Sequence, residues 1–209
     1  MKTFISILMT AVAFLSLAGC STQKHESPSL IQGRTVTDWV GDVEIGGFAG
    51  DKNPGLDALL SAGPQVMPNL ARLLFGSESP DKQAKAAYVM GAIAYRNQDA
   101  ALVHDAVPAL TKAAQSSDSE VRIYSVQALG AVGRSASKAT PILLRLTRDE
   151  NASVRMCAVE ALGRIGAASP ESVAALTVAM SDTSDDVRVT AKKALEAVHR
   201  GHSWTPERD

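Results

Sequence analysis

The sequence predicts an all-α protein, a right-handed α-solenoid of about four to five stacked helical hairpins, and three observations point to it. The first is self-similarity. SVRMCAVEALGRIG at 153–166 repeats EVRIYSVQALGAVG at 120–133 with seven of fourteen positions identical, and a period near 33 residues is the signature of a helical array. The second is helical periodicity within one copy. Val121, Tyr124 or Ser125, Ala128, Leu129 and Val132 fall on one face of a helix. The third is composition: 45% of residues are apolar but only 4% aromatic, and the Ala, Leu and Val that dominate favour helix over a β-sandwich.

The chain divides in order as follows. Residues 1–19 precede the fold. MKTFISILMTAVAFLSLAGC carries one Lys and an apolar run from Phe4 to Leu17, too short for a ~30 Å bilayer, which takes about 20 residues. It reads as a secretory signal peptide. Its end, Leu17-Ala18-Gly19-Cys20, resembles a bacterial lipobox, which implies cleavage before Cys20 and lipid on its thiol; an ordinary signal peptide containing a Cys is the alternative. By resemblance to lipoprotein sorting signals, Ser21 after the Cys implies the outer membrane of the cell envelope. Cys157 is the one other cysteine, so lipidation of Cys20 leaves it without a disulfide partner.

Residues 20–35, polar and aperiodic, are expected to form a flexible tether with a reach of ~20 Å. Residues 36–55 give a short helix around Trp39 and a loop of five glycines at 41–55, an irregular N-terminal cap. Residues 56–199 hold the repeats, and 200–209 are a tail.

Inside the repeats, Val121-Arg122, Val154-Arg155 and Val187-Arg188 recur at spacings of 33, followed by Ala128-Leu129, Ala161-Leu162 and Ala194-Leu195. Lys82–Ile93 fits the same template, with Gly91 in the slot of Gly130. That spacing is 39, which places about six extra residues near Arg96–Ala101. Acidic residues ahead of each first helix (Asp118 and Glu120, Asp149 and Glu150, Asp182, Asp185 and Asp186) suit an N-terminus through capping and the helix dipole. Glycines 130, 133, 163 and 166 either end the helix or admit a close neighbour. A second helix opens near Pro68, Pro108 and Pro141, where proline removes no needed donor.

The pattern D-x-x-V-R-x-x-A-x-x-A-L-G-x-x-G with a Pro-led second helix resembles short HEAT repeats, the bacterial type also found in phycobilisome lyase-like proteins. The resemblance implies a binding surface, and it assigns Arg122, Arg155 and Arg188 to a structural ladder bonding the loop acids of adjacent repeats. It also implies second helices on the concave face. On those helices Arg72, Lys112 and Arg145 stand four residues after successive prolines, a row of candidate contacts for an anionic protein partner.

Little in the sequence points to catalysis. HEAT-like iron enzymes carry His-Glu pairs in slots held here by Ile123-Tyr124, Met156-Cys157 and Val189-Thr190, so that resemblance implies no metal. His25-Glu26 falls in the tether, and His199 and His202 lack a third ligand. Cys157, with no base on its helix, reads as a buried apolar residue. The net charge of −1 sets up no field for nucleic acid. The reading is therefore a membrane-tethered, non-catalytic protein-binding scaffold with no cofactor. A bilin-lyase-like enzyme or enzyme accessory, implied by the resemblance, is the alternative.

Overall fold

The computed structural model describes residues 30–45, 52–97 and 100–200, and it is built from helices. The signal segment with Cys20, the pair His25-Glu26, the glycine-loop residues 46–51, and His202 lie outside the described residues. Among the described residues no helix is long and apolar enough to cross a membrane.

The first element is α1 (Val36–Gly41), the short helix expected around Trp39. A capping box starts it: the Thr35 side chain accepts from the Asp38 N–H, and the Asp38 carboxylate accepts in return from the Thr35 N–H. Residues 30–35, assigned to the tether by composition, fold against this helix, with Trp39 Nε1 donating to the Ile31 carbonyl at 2.9 Å. Arg34 stacks 4.1 Å over the Trp39 ring.

Repeats follow. The first runs from α2 (Pro54–Ala62) through a 3-10 turn at Gly63–Val66 to α3 (Met67–Gly76). The second joins α4 (Pro80–Arg96) to α6 (Val107–Ala113) in sequence; the inserted residues between them carry a short helix, α5 (Ala101–His104). The third joins α7 (Ser119–Val132) to α8 (Thr140–Leu146), and the fourth α9 (Ala152–Ile165) to α10 (Pro170–Ala179). Each second helix packs chiefly on the first helix of the next repeat, α3 on α4, α6 on α7 and α8 on α9. A last helix, α11 (Asp185–His199), closes the stack. The described residues thus form an α-solenoid.

Where a motif carries two glycines, they do different work. The first removes a side chain at the contact between layers: a Cβ on Gly91 would stand 3.2 Å from the Ala128 Cα, one on Gly130 3.3 Å from the Ala161 Cα, and one on Gly163 2.8 Å from the Ala194 Cβ. The second ends the helix. Gly133 and Gly166 have φ of +69° and +70°, a region that disfavours every residue with a Cβ.

This backbone-to-backbone packing runs along α4, α7, α9 and α11. The second helices α3, α6, α8 and α10 approach one another far less closely. A stack whose layers close together on one side curves toward that side, so the first helices line the inner face. That reverses the expected arrangement, in which the second helices were inner. Between the two rows lies the core, where Leu70, Leu110, Leu143 and Leu176 from the second helices and Leu129 and Leu162 from the first are fully buried.

Candidate functional site

The ladder arginines build the turns between repeats. Arg122 donates to the Ser116 and Ser117 carbonyls and bridges to Asp149 of the next repeat at 3.0 Å. Arg155 donates to the Asp149 and Glu150 carbonyls and clasps both oxygens of Asp182 at 2.8 Å. Arg188 keeps the local half of this pattern, bonding the Asp182 and Thr183 carbonyls, but its ion-pair partner is Asp185 on its own helix. A fourth member, Gln83, was missed in the sequence. It donates to the Ser77 carbonyl six residues back, as the arginines do, and where it replaces Arg, the acid slot of the next repeat holds Ser116.

Of the acids expected at helix starts, Asp118 is a cap, accepting from the Glu120 and Val121 N–H groups, and Glu120, Asp185 and Asp186 stand in the first turns of α7 and α11, where the helix dipole favours them. Asn151 caps α9 instead. Asp149 and Asp182 each accept the N–H two residues on, which aims their carboxylates back at the arginine of the preceding repeat. The Arg155 hydrogen bonds hold the Asp182 carboxyl below the ordinary carboxylate range.

The row of Arg72, Lys112 and Arg145 is exposed on the second helices, while the leucines two residues earlier are buried, as expected. Each cation has a local contact. Arg72 donates to Asn69 Oδ1, Lys112 sits 4.6 Å over the Phe75 ring, and Arg145 donates to Gln115 Oε1 at 3.2 Å.

Cys157 is 1% exposed, and burial pushes its thiol up to about 11, against the lowering effect of a Gln127 Nε2 contact at 3.5 Å. A thiol in that state stays protonated at neutral pH and is a poor nucleophile. Among the described residues no group of three or more His, Cys, Asp or Glu stands together as a metal site, and His199 is an exposed residue at the end of α11.

The structure also brings together a groove on the inner face. Its floor is small: Gly91 and Ala92 of α4, Ala128 and Ala131 of α7. Its walls are Tyr88 and Tyr95 of α4, Tyr124 and Gln127 of α7, and Glu160 and Arg164 of α9. The three tyrosines are all that the chain has. Tyr88 and Tyr124 meet edge to face, with centroids 5.7 Å apart and planes at 80°. The Arg164 stem crosses the Gly130 notch, its Cδ 3.4 Å from where a Cβ would be, and its guanidinium comes within 5.8 Å of the half-exposed Tyr95 ring. The cavity measures about 210 Å³.

Glu160 gives the groove its polarity. Its nearest cation is Arg164, 3.6 Å away, and among the described residues none donates a hydrogen bond to its carboxylate. Burial raises its pKa, with Arg164 opposing. A carboxylate whose folded pKa is raised costs stability once ionised; the cost stands above that pKa and is relieved as pH falls through it. Tyr124 is shifted up as well, by desolvation first and then by Glu120 one turn away. A signal for this groove exists in the sequence: one slot of the first helix reads Tyr88, Gln127, Glu160, Lys193, polar or aromatic in every copy. Core residues do not vary that way.

Comparison with known proteins supplies a family. The model of the family described as HEAT repeats matches residues 67–142 and 107–196. No curated protein matches the chain. Among solved structures, the complex of CpcE and CpcF of phycocyanin lyase from Nostoc sp. PCC7120 is similar at 20% identity and a TM-score of 0.60, over 76% of this chain and 96% of that one. A designed armadillo repeat protein in complex with the peptide (KR)4 is similar at 20% identity and 0.58, over 94% and 95%. An engineered protein is similar at 23% and 0.58, over 80% of each chain. At these identities the likeness is one of fold.

Proposed function

The chain belongs to the HEAT-repeat family, and on that premise we propose that it is a non-catalytic protein-binding scaffold held at the cell envelope by lipid on Cys20, with the groove on the inner face as its main docking surface. The observation that carries the binding half is the gathering of all three tyrosines, with Glu160 and Arg164, around one floor of small residues. Large rigid rings at the edge of a cleft supply contact area with little rotamer entropy to lose, which is why aromatic residues concentrate at interfaces. A repeat protein of similar fold is known with a peptide, (KR)4, bound to it. The exposed row of Arg72, Lys112 and Arg145 is a second surface in this reading, offered to an anionic stretch of a different partner. Support for the anchor is the LAGC ending at 17–20 and the polar stretch after it.

A lyase-like role draws on the likeness to the phycocyanin lyase complex. The groove of about 210 Å³ gives that role no site, because sites for drug-sized ligands run to ~300–1,000 Å³; the larger cavities, about 410 and 520 Å³, lie along the ladder turns at Arg155 and Arg122. The space suits a side chain better than a tetrapyrrole.

The test has two readouts in intact cells. Cys20→Ser should abolish incorporation of a fatty-acid analogue into the protein. Crosslinking followed by solubilisation and purification should recover a protein adduct from the unaltered chain and lose it from Tyr124→Ala. Undiminished label in the first variant contradicts the anchor; an undiminished adduct in the second contradicts the groove.

A further inference from the structure

We infer that the groove receives a basic side chain, lysine or arginine, from an extended segment of a partner protein, with Glu160 as counter-ion and the Tyr88 and Tyr124 rings along its stem. This rests on the scaffold reading and names the chemistry of its partner.

Three observations carry it. The first is an acceptor with room for another donor: the Glu160 side chain is partly buried, its one ion pair is the long 3.6 Å contact with Arg164, and no described residue hydrogen-bonds to its carboxylate. An apolar or acidic guest would bury that carboxylate further with nothing to satisfy it, whereas an ammonium or guanidinium supplies charge-assisted donors. The second is the aromatic lining. Ring faces attract cations, and the walls already hold one such contact, the Arg164 guanidinium near Tyr95. The third is size and shape. A slot of about 210 Å³ between a small-residue floor and ring walls accepts one long side chain but not a packed helix.

The charges around the groove are of both signs, and the cations among them have places of their own. Glu120 stands beside Tyr124, and Lys85, the cation on α4 nearest this end, is engaged by Asp81 at 3.2 Å and by the Gly41 carbonyl. Lys193 continues the slot one helix further on, exposed on α11. Arg164 reaches past Glu160 to Tyr95 and holds the far end of the groove, 3.6 Å from the carboxylate. It is therefore an internal competitor for the same acceptor, and this fixes the sign of a test.

The full chain in neutral detergent is titrated, at about 0.15 M salt, with two acetylated and amidated octapeptides, one alternating Lys and Arg, the other alternating Asp and Glu. The basic peptide should bind and the acidic one should not. Glu160→Gln should weaken the basic peptide about tenfold, the loss of one charge-assisted contact, and should not lower the melting temperature at neutral pH, because the amide removes a desolvated charge. Arg164→Ala should tighten binding of the basic peptide. Preference for the acidic peptide, no binding of either, indifference to Glu160→Gln, or weakening by Arg164→Ala overturns the inference. Failure here with a crosslinked adduct that still depends on Tyr124 removes the charge class alone; loss of that dependence removes the scaffold reading too.

Discussion

Replacing Leu162 with alanine should lower the free energy of unfolding by about 2–5 kcal/mol, the range for fully buried leucines truncated to alanine. Leu162 has no exposed surface and sits on α9, between the layers of α7 and α11. In a stack where each layer touches only its neighbours, the loss is local before it is global. Urea unfolding followed by circular dichroism should therefore show an earlier and broader transition, with the C-terminal layers melting first. Leu195→Ala occupies the same slot on the closing helix, where the side chain is only half-buried, and should cost less. Equal shifts for the two would contradict the layered core.

Arg155→Ala should cost about 2–4 kcal/mol, since it strands a carboxylate and two carbonyls that the guanidinium satisfies together. Arg155 and Asp182 are only 14% and 12% exposed in their side chains, so solvent screens the pair weakly. Arg188→Ala, which gives up two carbonyl bonds and an exposed pair on its own helix, should cost about 1 kcal/mol. The effect of Arg155→Ala should also depend on pH. Because Asp182 has a lowered folded pKa, its contribution is present above the ordinary carboxylate pKa and is lost as pH falls through the lowered value. The gap between the unaltered chain and the variant should thus narrow in acid. Thermal melts at neutral and acidic pH measure it, and a gap that widens in acid would place the stabilisation elsewhere.

Much of this fold is legible in the sequence because repetition separates signal from accident. One copy of V-R-x-x-x-x-x-A-L-G is a helix like many others; copies at 33 residues fix the layers, the turns and the slot of each leucine. The ladder is legible for the same reason on its arginine side. On its acid side the family resemblance implies partners in the adjacent repeat, but a local reading does not single them out, because Asp149 and Asp182 lie next to helix starts where capping is the nearer role. Their arginine partners lie 27 residues upstream, and the stacking of the layers brings them together.

The groove was harder to read. Helical periodicity marks which residues leave the solvent but not which side of a hairpin curves inward. Tyr88, Tyr124 and Glu160 stand on helices whose main stripe is core, and each passes for a residue at its edge. The curvature follows from Gly91, Gly130 and Gly163, whose missing side chains let the first helices close up. The glycines are plain in the sequence, but their consequence for the inner face depends on how far apart the second helices stand. Arg72, Lys112 and Arg145, by contrast, form a pattern visible in a single register.

The face that meets the partner can be identified directly. A photoactivatable amino acid placed at Tyr95, half-exposed at the groove edge, can be compared with one at Lys112 in the basic row. Illumination of cells carrying each variant, followed by purification, should give a protein adduct from the Tyr95 position and none of the same mass from Lys112. An adduct from Lys112 alone would move the interface to the second helices and contradict the assignment of the groove.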